Sequence, residues 1–316
     1  MCGHEELIHI RPKVSICIPT YKQVDYLRKT LDSVLMQNYK NYEIIITDDS
    51  PDDSVKNLIE AYDFENKLKY YKNKTSFGSP QNWNKAVEKA TGEYIKMLHH
   101  DDCFTFPYSL YSYVEMLENY PDINFAFSAS VAIDVVNKKT WIHSATSEQL
   151  DKLKEDPKHL FFGNFIGAPS ATIYRNMKVY QYDKNLKWVV DIDFYIQFLS
   201  ANKSYLFLKE PLITCVCGAL HNVTNECIDN KEIEIFEYLY LFEKISCKYV
   251  FVKKKYIIFF ENLFSKYNIN SIKMIKKVGF KKRLPLFIIL IVYNRTLKIF
   301  LKSKLKKATN ISVAKL

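Results

Sequence analysis

Two histidines and two aspartates stand side by side at positions 99–102, where the apolar run EYIKML (93–98) ends. Imidazole and carboxylate groups bind divalent cations and move protons near neutral pH, so the cluster HHDD could serve either chemistry. Four such groups cannot all be buried without partners, because an unpaired charge in apolar surroundings is costly. They belong at a strand end, beside water or a ligand. Other carboxylates stand in TDDSPDD (47–53) and in WVVDIDFY (188–195), where Asp191 and Asp193 are set among apolar neighbours. A further histidine, His221, follows in GALHNVT (218–224).

Each of these groups also has a plainer use. Asp101 and Asp102 could cap a helix beginning near Pro107, and DDSPDD is a good turn-and-cap sequence before a helix over 52–62. Asp191 or Asp193 could be a surface carboxylate, and His221 a hydrogen-bonded structural histidine. For His99, His100 and Cys103 the structural use is the favoured one.

Elements that would position these groups are visible in the patterning. VSICI (14–18), YEIIIT (42–47), LKYY (68–71) and EYIKML (93–98) are short, β-branched or aromatic, and bounded by polar turns, as buried strands are. Between them, YLRKTLDSVLMQ sets Leu27, Leu31, Val34 and Leu35 at helical spacing. In SPQNWNKAVEKA, Ser79 is an expected N-cap with Pro80 at the first helical position. Such β-α alternation predicts an α/β fold with an open, mostly parallel sheet, which binds ligands outside the carboxyl ends of its strands. The segments after residues 18, 47, 71 and 98 are PTYKQ, DDSPDD, KNKTSFG and HHDD, so polar groups converge on one crevice. In WVVDIDFYIQFL, a helix would let only one of Asp191 and Asp193 face that crevice.

The ordered series VSICIPTY, SVLMQNYKNYEIIITDDSPDD, NWNKAVEKATGEYIKMLHHDD and VVDIDFY, spanning about residues 13–225, resembles the family-2 glycosyltransferases. These are inverting, nucleotide-sugar-dependent enzymes with a GT-A, Rossmann-like fold. The resemblance implies that Pro19, Thr20 and Tyr21 line the nucleotide and that Asp48 accepts a hydrogen bond from the base. It also implies that Asn82, Asn84 and Lys85 border the nucleotide and that HHDD stands for the acidic metal motif. Asp101, shared with the donor, is then the first metal ligand and Asp102 the second, with His221 facing diphosphate or metal. Asp191 falls at the family's catalytic base, where burial would raise its pKa, and Trp188 and Asp193 fall on the acceptor side. His99 replaces the first motif aspartate, and Val190 replaces the acidic residue that usually precedes the base. The implied cofactor is Mn²⁺ or Mg²⁺. The implied activity is transfer of a hexosyl or N-acetylhexosaminyl group from a nucleotide sugar, a UDP-sugar, to a glycan or lipid-linked acceptor in surface polysaccharide or lipooligosaccharide assembly. Two alternatives stay open: a sugar-nucleotide pyrophosphorylase, against which PTYKQVDY lacks a glycine, and an inactive nucleotide-sugar-binding or membrane-docking protein.

Composition frames the domains. The 316 residues are 48% hydrophobic, enough to fill a sizeable core, and seven cysteines without CxxC spacing fit reduced thiols. The net charge of +10 is unevenly spread: residues 231–316 hold 20 Lys+Arg against 5 Asp+Glu, net +15, leaving −5 for residues 1–230. Nucleic acid is therefore not an expected partner of the main domain. The expected division is an N-terminal extension (1–12), a GT-A domain (13–230) and a basic, mostly helical C-terminal region (231–316). MCGHEELIHIRPK has no signal-peptide character, so a cytoplasmic protein is expected. Residues 262–316 contain 14 Lys+Arg and no Asp or Glu. LPLFIILIVY (284–293) is too short to cross a bilayer, which takes about 20 residues. NRTLKIFLKSKLKK then sets Leu297, Phe300, Leu301 and Leu305 on one helical face. Two uses are open: a helix lying on the cytoplasmic face of an anionic membrane, or packing on the domain or a second copy in a homo-oligomer.

Overall fold

The computed structural model describes residues 14–202, 204–246 and 253–313, so the expected extension at 1–12 lies outside the described residues. The four expected strands form as β1 (Val14–Thr20), β2 (Tyr42–Asp48), β3 (Leu68–Lys72) and β4 (Tyr94–Met97). They pair in the order β3-β2-β1-β4, every pair parallel. β1, β2 and β4 are buried along their whole lengths, which is why they read as mostly apolar runs and not as alternating ones. The intervening helices are α1 (Val24–Leu35), α2 (Ser54–Ile59) and α3 (Gln81–Lys89). On α1, Leu27, Leu31 and Val34 are fully buried, each worth about 1.5–3 kcal/mol, while Leu35 turns outward and is 40% exposed.

Three local expectations are corrected. Helix α3 begins at Gln81 behind Pro80, and the Ser79 hydroxyl caps nothing, because the first helical bond runs from the Asn82 N–H to the Gly78 carbonyl. The helix expected over 52–62 closes early, at Ile59. Asp101 and Asp102 do not cap the next helix, α4 (Ser109–Glu118), whose N-cap is Tyr108.

Past β4 the chain adds β5 (Cys103–Phe104), β6 (Phe125–Asp134), β7 (Lys139–His143), α5 (Ser147–Glu155), β8 (Thr172–Arg175), α6 (Val190–Asn202), β9 (Leu206–Cys217) and α7 (Val223–Cys227). The described strands form one sheet, β3-β2-β1-β4-β8-β6-β9-β5, with β7 paired to β6 over Ser130–Asp134, beyond the stretch that β8 pairs. Antiparallel pairing enters only beyond β4, where β8 runs against both β4 and β6. The parallel half thus keeps four strand ends on one edge, and the mixed half supplies the opposite wall.

The chain divides into two compact units, Met1–Asn225 and Glu226–Leu316. The second is helical: α8 (Lys231–Ile245), α9 (Lys254–Lys266), α10 (Ile272–Lys277) and α11 (Leu286–Val313). Its core is aromatic, with Phe242, Phe260 and Phe287 in edge-to-face contact at 5.2–5.9 Å.

Candidate active site

In the parallel half, Thr20 at the end of β1 lies opposite Asp48 at the end of β2, which lies opposite Lys72 at the end of β3. The chain leaves β4 beside them, the Leu98 N–H donating to the Cys17 carbonyl at 2.9 Å. Asp48 is wholly buried. Its Oδ1 accepts from the Ser50 N–H (2.8 Å) and the Thr20 hydroxyl (3.2 Å), and its Oδ2 from the Tyr70 hydroxyl (2.8 Å) and Lys72 Nζ (3.0 Å). These four donors make Asp48 a tie between three strand ends at the edge where a nucleotide is expected. Asp49 does the same for the next loop, accepting from Asn73 Nδ2 (2.7 Å) and from the Phe77 and Gly78 N–H groups (3.0 and 2.7 Å).

The other residues expected beside the nucleotide divide between buried and exposed. Asn82 is buried and donates to the Thr20 and Thr47 carbonyls at 3.2 and 3.0 Å. Asn84 clasps the Tyr182 backbone, donating to its carbonyl (2.8 Å) and accepting from its N–H (2.9 Å). Lys85 pairs with Glu88 at 2.9 Å on the surface of α3. Pro19 and Thr20 are buried, and of that stretch Tyr21, 46% exposed, presents a face outward. The buried amides among these side chains thus also brace the strand ends, since short polar groups beside a strand end find backbone partners.

The HHDD turn sits at the end of β4. The His99 N–H donates to Ser170 Oγ (2.9 Å), and its ring lies 4.5 Å from that of Trp83. His100 Nδ1 faces the Pro19 carbonyl at 3.3 Å, and the Thr30 hydroxyl donates to the His100 carbonyl at 2.9 Å, tying the turn to β1 and α1. Asp101 Oδ2 accepts from His221 Nε2 (3.0 Å) and Asn222 Nδ2 (2.9 Å). Asp102 is buried and bonded by the Ser170 and Cys215 side chains and the Val216 backbone.

His99, Asp101 and Asp102 each offer a ligand atom, all within 4.8 Å of one another. Their electrostatics differ. Burial and the neighbouring Asp101 charge raise Asp102 above the usual carboxylate range, whereas Asp101, despite its burial, is lowered by the His221 hydrogen bond and nearby imidazoles. Burial also lowers His99, to about 4, so its ring is neutral near pH 7, and its buried Nε2 has no hydrogen-bond partner. An unpartnered imidazole nitrogen beside two crowded carboxylates fits a divalent cation. His221, expected as a ligand, lies outside this triad and bonds to Asp101. His99, favoured by sequence as structural, lies within it.

The opposite wall is residues 164–171. Asn164 Nδ2 donates to Asp191 Oδ2 (2.7 Å) and to the Gly167 carbonyl (3.0 Å), while the Gly167 N–H returns a bond to Asn164 Oδ1 (3.0 Å). At the other end of the loop, Ser170 holds His99 and Asp102. One short strap therefore positions both the acidic turn and Asp191, the second residue of α6. Asp191 is half-buried; Asp193, expected on the acceptor side, is fully buried and accepts from Gln197 Nε2 at 2.7 Å. The helix separates the two carboxylates, as their spacing requires. Trp188 is half-buried in the segment leading into α6. Asn164, Ser170 and Asn222 are functional candidates that sequence reasoning passed over. Their signals are the turn formers of GAPSA and the HN dipeptide.

A model of glycosyl transferase family 2 matches residues 15–183. In sequence the chain is similar to an uncharacterized glycosyltransferase of Methanocaldococcus jannaschii, 28% identical over 207 residues that cover 64% of this chain and 70% of that protein. In structure it is similar to S. aureus TarS 1-349 in complex with UDP-GlcNAc, with a TM-score of 0.56 and 15% identity, covering 90% of this chain and 89% of that one. It is also similar to the mannosyltransferase PcManGT from Pyrobaculum calidifontis in complex with GDP-Man and Mn²⁺, with a TM-score of 0.54 and 14% identity over 92% of this chain and 81% of that one. At such identities the structural likeness shows the fold, of GT-A type. The sequence match runs over more than half of the chain and through all four parallel strand ends, stopping short of Asp191, and by it the chain belongs to glycosyl transferase family 2.

Proposed function

We propose that this chain transfers a hexosyl or N-acetylhexosaminyl group, with inversion, from a UDP-sugar to a hydroxyl of a glycan or lipid-linked acceptor in surface-polysaccharide or lipooligosaccharide assembly. The observation that carries the reading is the strap from Asn164 to Ser170, which fixes Asp191 at one end and the His99–Asp101–Asp102 triad at the other. The family match and the UDP-GlcNAc and GDP-Man complexes of the two structural relatives support a nucleotide-sugar donor.

His99 and Asp101, with Asp102 behind them, would hold Mn²⁺ or Mg²⁺. A divalent ion in that place neutralises the charge that grows on the departing diphosphate. Asp101 is kept ionised by His221 and Asn222, and the neutral His99 ring keeps a lone pair available. Tyr21, exposed beside the strand ends, is the candidate to lie against the donor's base. Asp191 takes the proton from the attacking acceptor hydroxyl as the new glycosidic bond forms and the bond to the diphosphate oxygen breaks, a role worth typically ~10²–10⁴ in rate. The Asn164 amide holds one oxygen of that carboxylate and so sets its direction.

The test is a panel of nucleotide sugars with and without Mn²⁺, read first as protein stabilisation and then as transfer. A donor at 100 times its Kd adds about 2.7 kcal/mol. Asp101→Asn is expected to abolish the Mn²⁺-dependent part, and Asp191→Asn to keep donor binding while lowering single-turnover transfer by ~10² or more. Donor binding by the wild type without transfer or donor hydrolysis would establish an inactive binding protein instead. Failure of every nucleotide sugar to bind would overturn the reading.

A further inference from the structure

The helical second unit carries an exposed apolar face. In its first turns α11 is two-sided: Ile288, Ile291 and Val292 are buried, and Phe287 meets Phe242 and Phe260. The other side holds Leu286 (71% exposed), Leu290, Tyr293, Leu297, Phe300 and Leu301, each at least 42% exposed. At about 100° per residue these six fall within about 100° of arc. They form a continuous apolar stripe along more than four turns.

The charge around the stripe says what covers it. Lys304 falls on the stripe, its Nζ lying 5.0 Å from the Phe300 ring centroid, Lys298 flanks it and Lys302 stands exposed on the opposite side of the helix, and residues 262–316 contain 14 Lys+Arg without one acidic residue. A second copy docked stripe to stripe would bury Lys304 and crowd Lys298 with no carboxylate on either helix to answer them. Crossing a bilayer is also excluded for this face, since no described helix is long and apolar enough. An anionic lipid surface answers both features at once, taking the apolar side chains into its interface and the lysines against its headgroups.

We propose that α11 docks this protein onto anionic bilayers, lying in the interface with Leu286, Leu290, Tyr293, Leu297 and Phe300 inward. The inference stands apart from the glycosyl-transfer reading, because neither the triad nor Asp191 takes part in it. A lipid-linked acceptor would nonetheless be met on the same surface.

The experiment is co-sedimentation of the full chain with vesicles of phosphatidylglycerol in phosphatidylcholine, and with phosphatidylcholine alone. Binding is expected only to the anionic vesicles, and it should weaken as salt rises from ~0.1 M to ~1 M, where the Debye length falls from about 10 Å to about 3 Å. Leu290→Ser/Leu297→Ser/Phe300→Ser should lower the partition coefficient by ~10-fold or more, and Lys298→Glu/Lys302→Glu/Lys304→Glu should abolish the preference for anionic lipid. All six positions are exposed, so nucleotide-sugar binding by the first unit and the far-ultraviolet helical signal should be unchanged. Absence of vesicle binding by the wild type, equal binding to neutral vesicles, or indifference to both triple variants would overturn the proposal. So would a solution dimer that the Ser variant dissociates, which would assign the face to a second copy.

Discussion

Lys96 on β4 is wholly buried, with Nζ donating to the Ser170 carbonyl and, at 3.1 Å, to the Thr172 carbonyl, and lying 4.3 Å from the Tyr113 ring centroid. Burial lowers its pKa from 10.5 to about 7. Below pH 7 both folded and unfolded chains carry the proton, and the folded state bears the whole penalty. Between 7 and 10.5 the unfolded chain binds more protons, so this group's contribution to stability rises with pH and the penalty is gone above 10.5. At 1.36 kcal/mol per unit the penalty at pH 6 is at most ~5 kcal/mol. Lys96→Met removes it and leaves the two carbonyls without this donor, a cost of ~1–3 kcal/mol. The variant is therefore expected to be more stable than wild type by ~2–4 kcal/mol at pH 6 and less stable by ~1–3 kcal/mol at pH 10.5. Urea unfolding of both proteins across that range measures the difference directly. A pH-independent difference, or a variant weaker at pH 6, would show that the carbonyls and the ring hold the ammonium without penalty. Because Lys96 fastens Ser170, the more stable variant should also hold the acidic turn less firmly and lose transfer activity.

Asp48→Ala removes the buried acceptor shared by the Thr20 and Tyr70 hydroxyls, the Ser50 N–H and Lys72, and should cost ~2–4 kcal/mol by urea midpoint; an unchanged midpoint with lost donor affinity would mark it as a base contact instead. Gly218, at φ +76°, turns the chain from β9 toward His221, and an added Cβ would lie 2.8 Å from Asp134 Oδ1. Gly218→Ala should therefore lower the melting temperature and weaken Mn²⁺-dependent donor binding together, whereas loss of neither would show that the loop adapts. Asn164→Ala should reduce transfer by ~10-fold or more at nearly unchanged donor affinity, with Asn164→Asp failing to rescue it because two carboxylates would then face each other. Equal activity in the alanine variant would mean that Asp191 needs no such support.

The parallel half was legible in the sequence because β1, β2 and β4 are buried on both faces. VSICI, YEIIIT and EYIKML are mostly apolar runs, interrupted by single polar residues such as Glu43 and Lys96, whose ends are marked by polar turns, so strand positions, and with them the edge where ligands gather, follow from hydrophobicity. The helix over α6 was legible for a related reason, and with it the separation of Asp191 from Asp193. What the local pattern does not contain is which polar side chains at that edge still have a free acceptor. Asp48, Asn82 and Asn84 occupy motif positions, yet each is held by partners 20 to 100 residues away: Asp48 by Tyr70 and Lys72, Asn82 by the Thr20 and Thr47 carbonyls, Asn84 by the Tyr182 backbone. His99 shows the converse. By residue type it departs from an acidic motif, but its buried Nε2 is left unpartnered and its ring groups with Asp101 and Asp102. A group's capacity for chemistry is what remains after the fold has satisfied itself. That remainder depends on long-range pairings such as Ser170 with His99 and Asn164 with Asp191, in a loop whose sequence, GNFIGAPSA, announces a turn and nothing of what the turn holds.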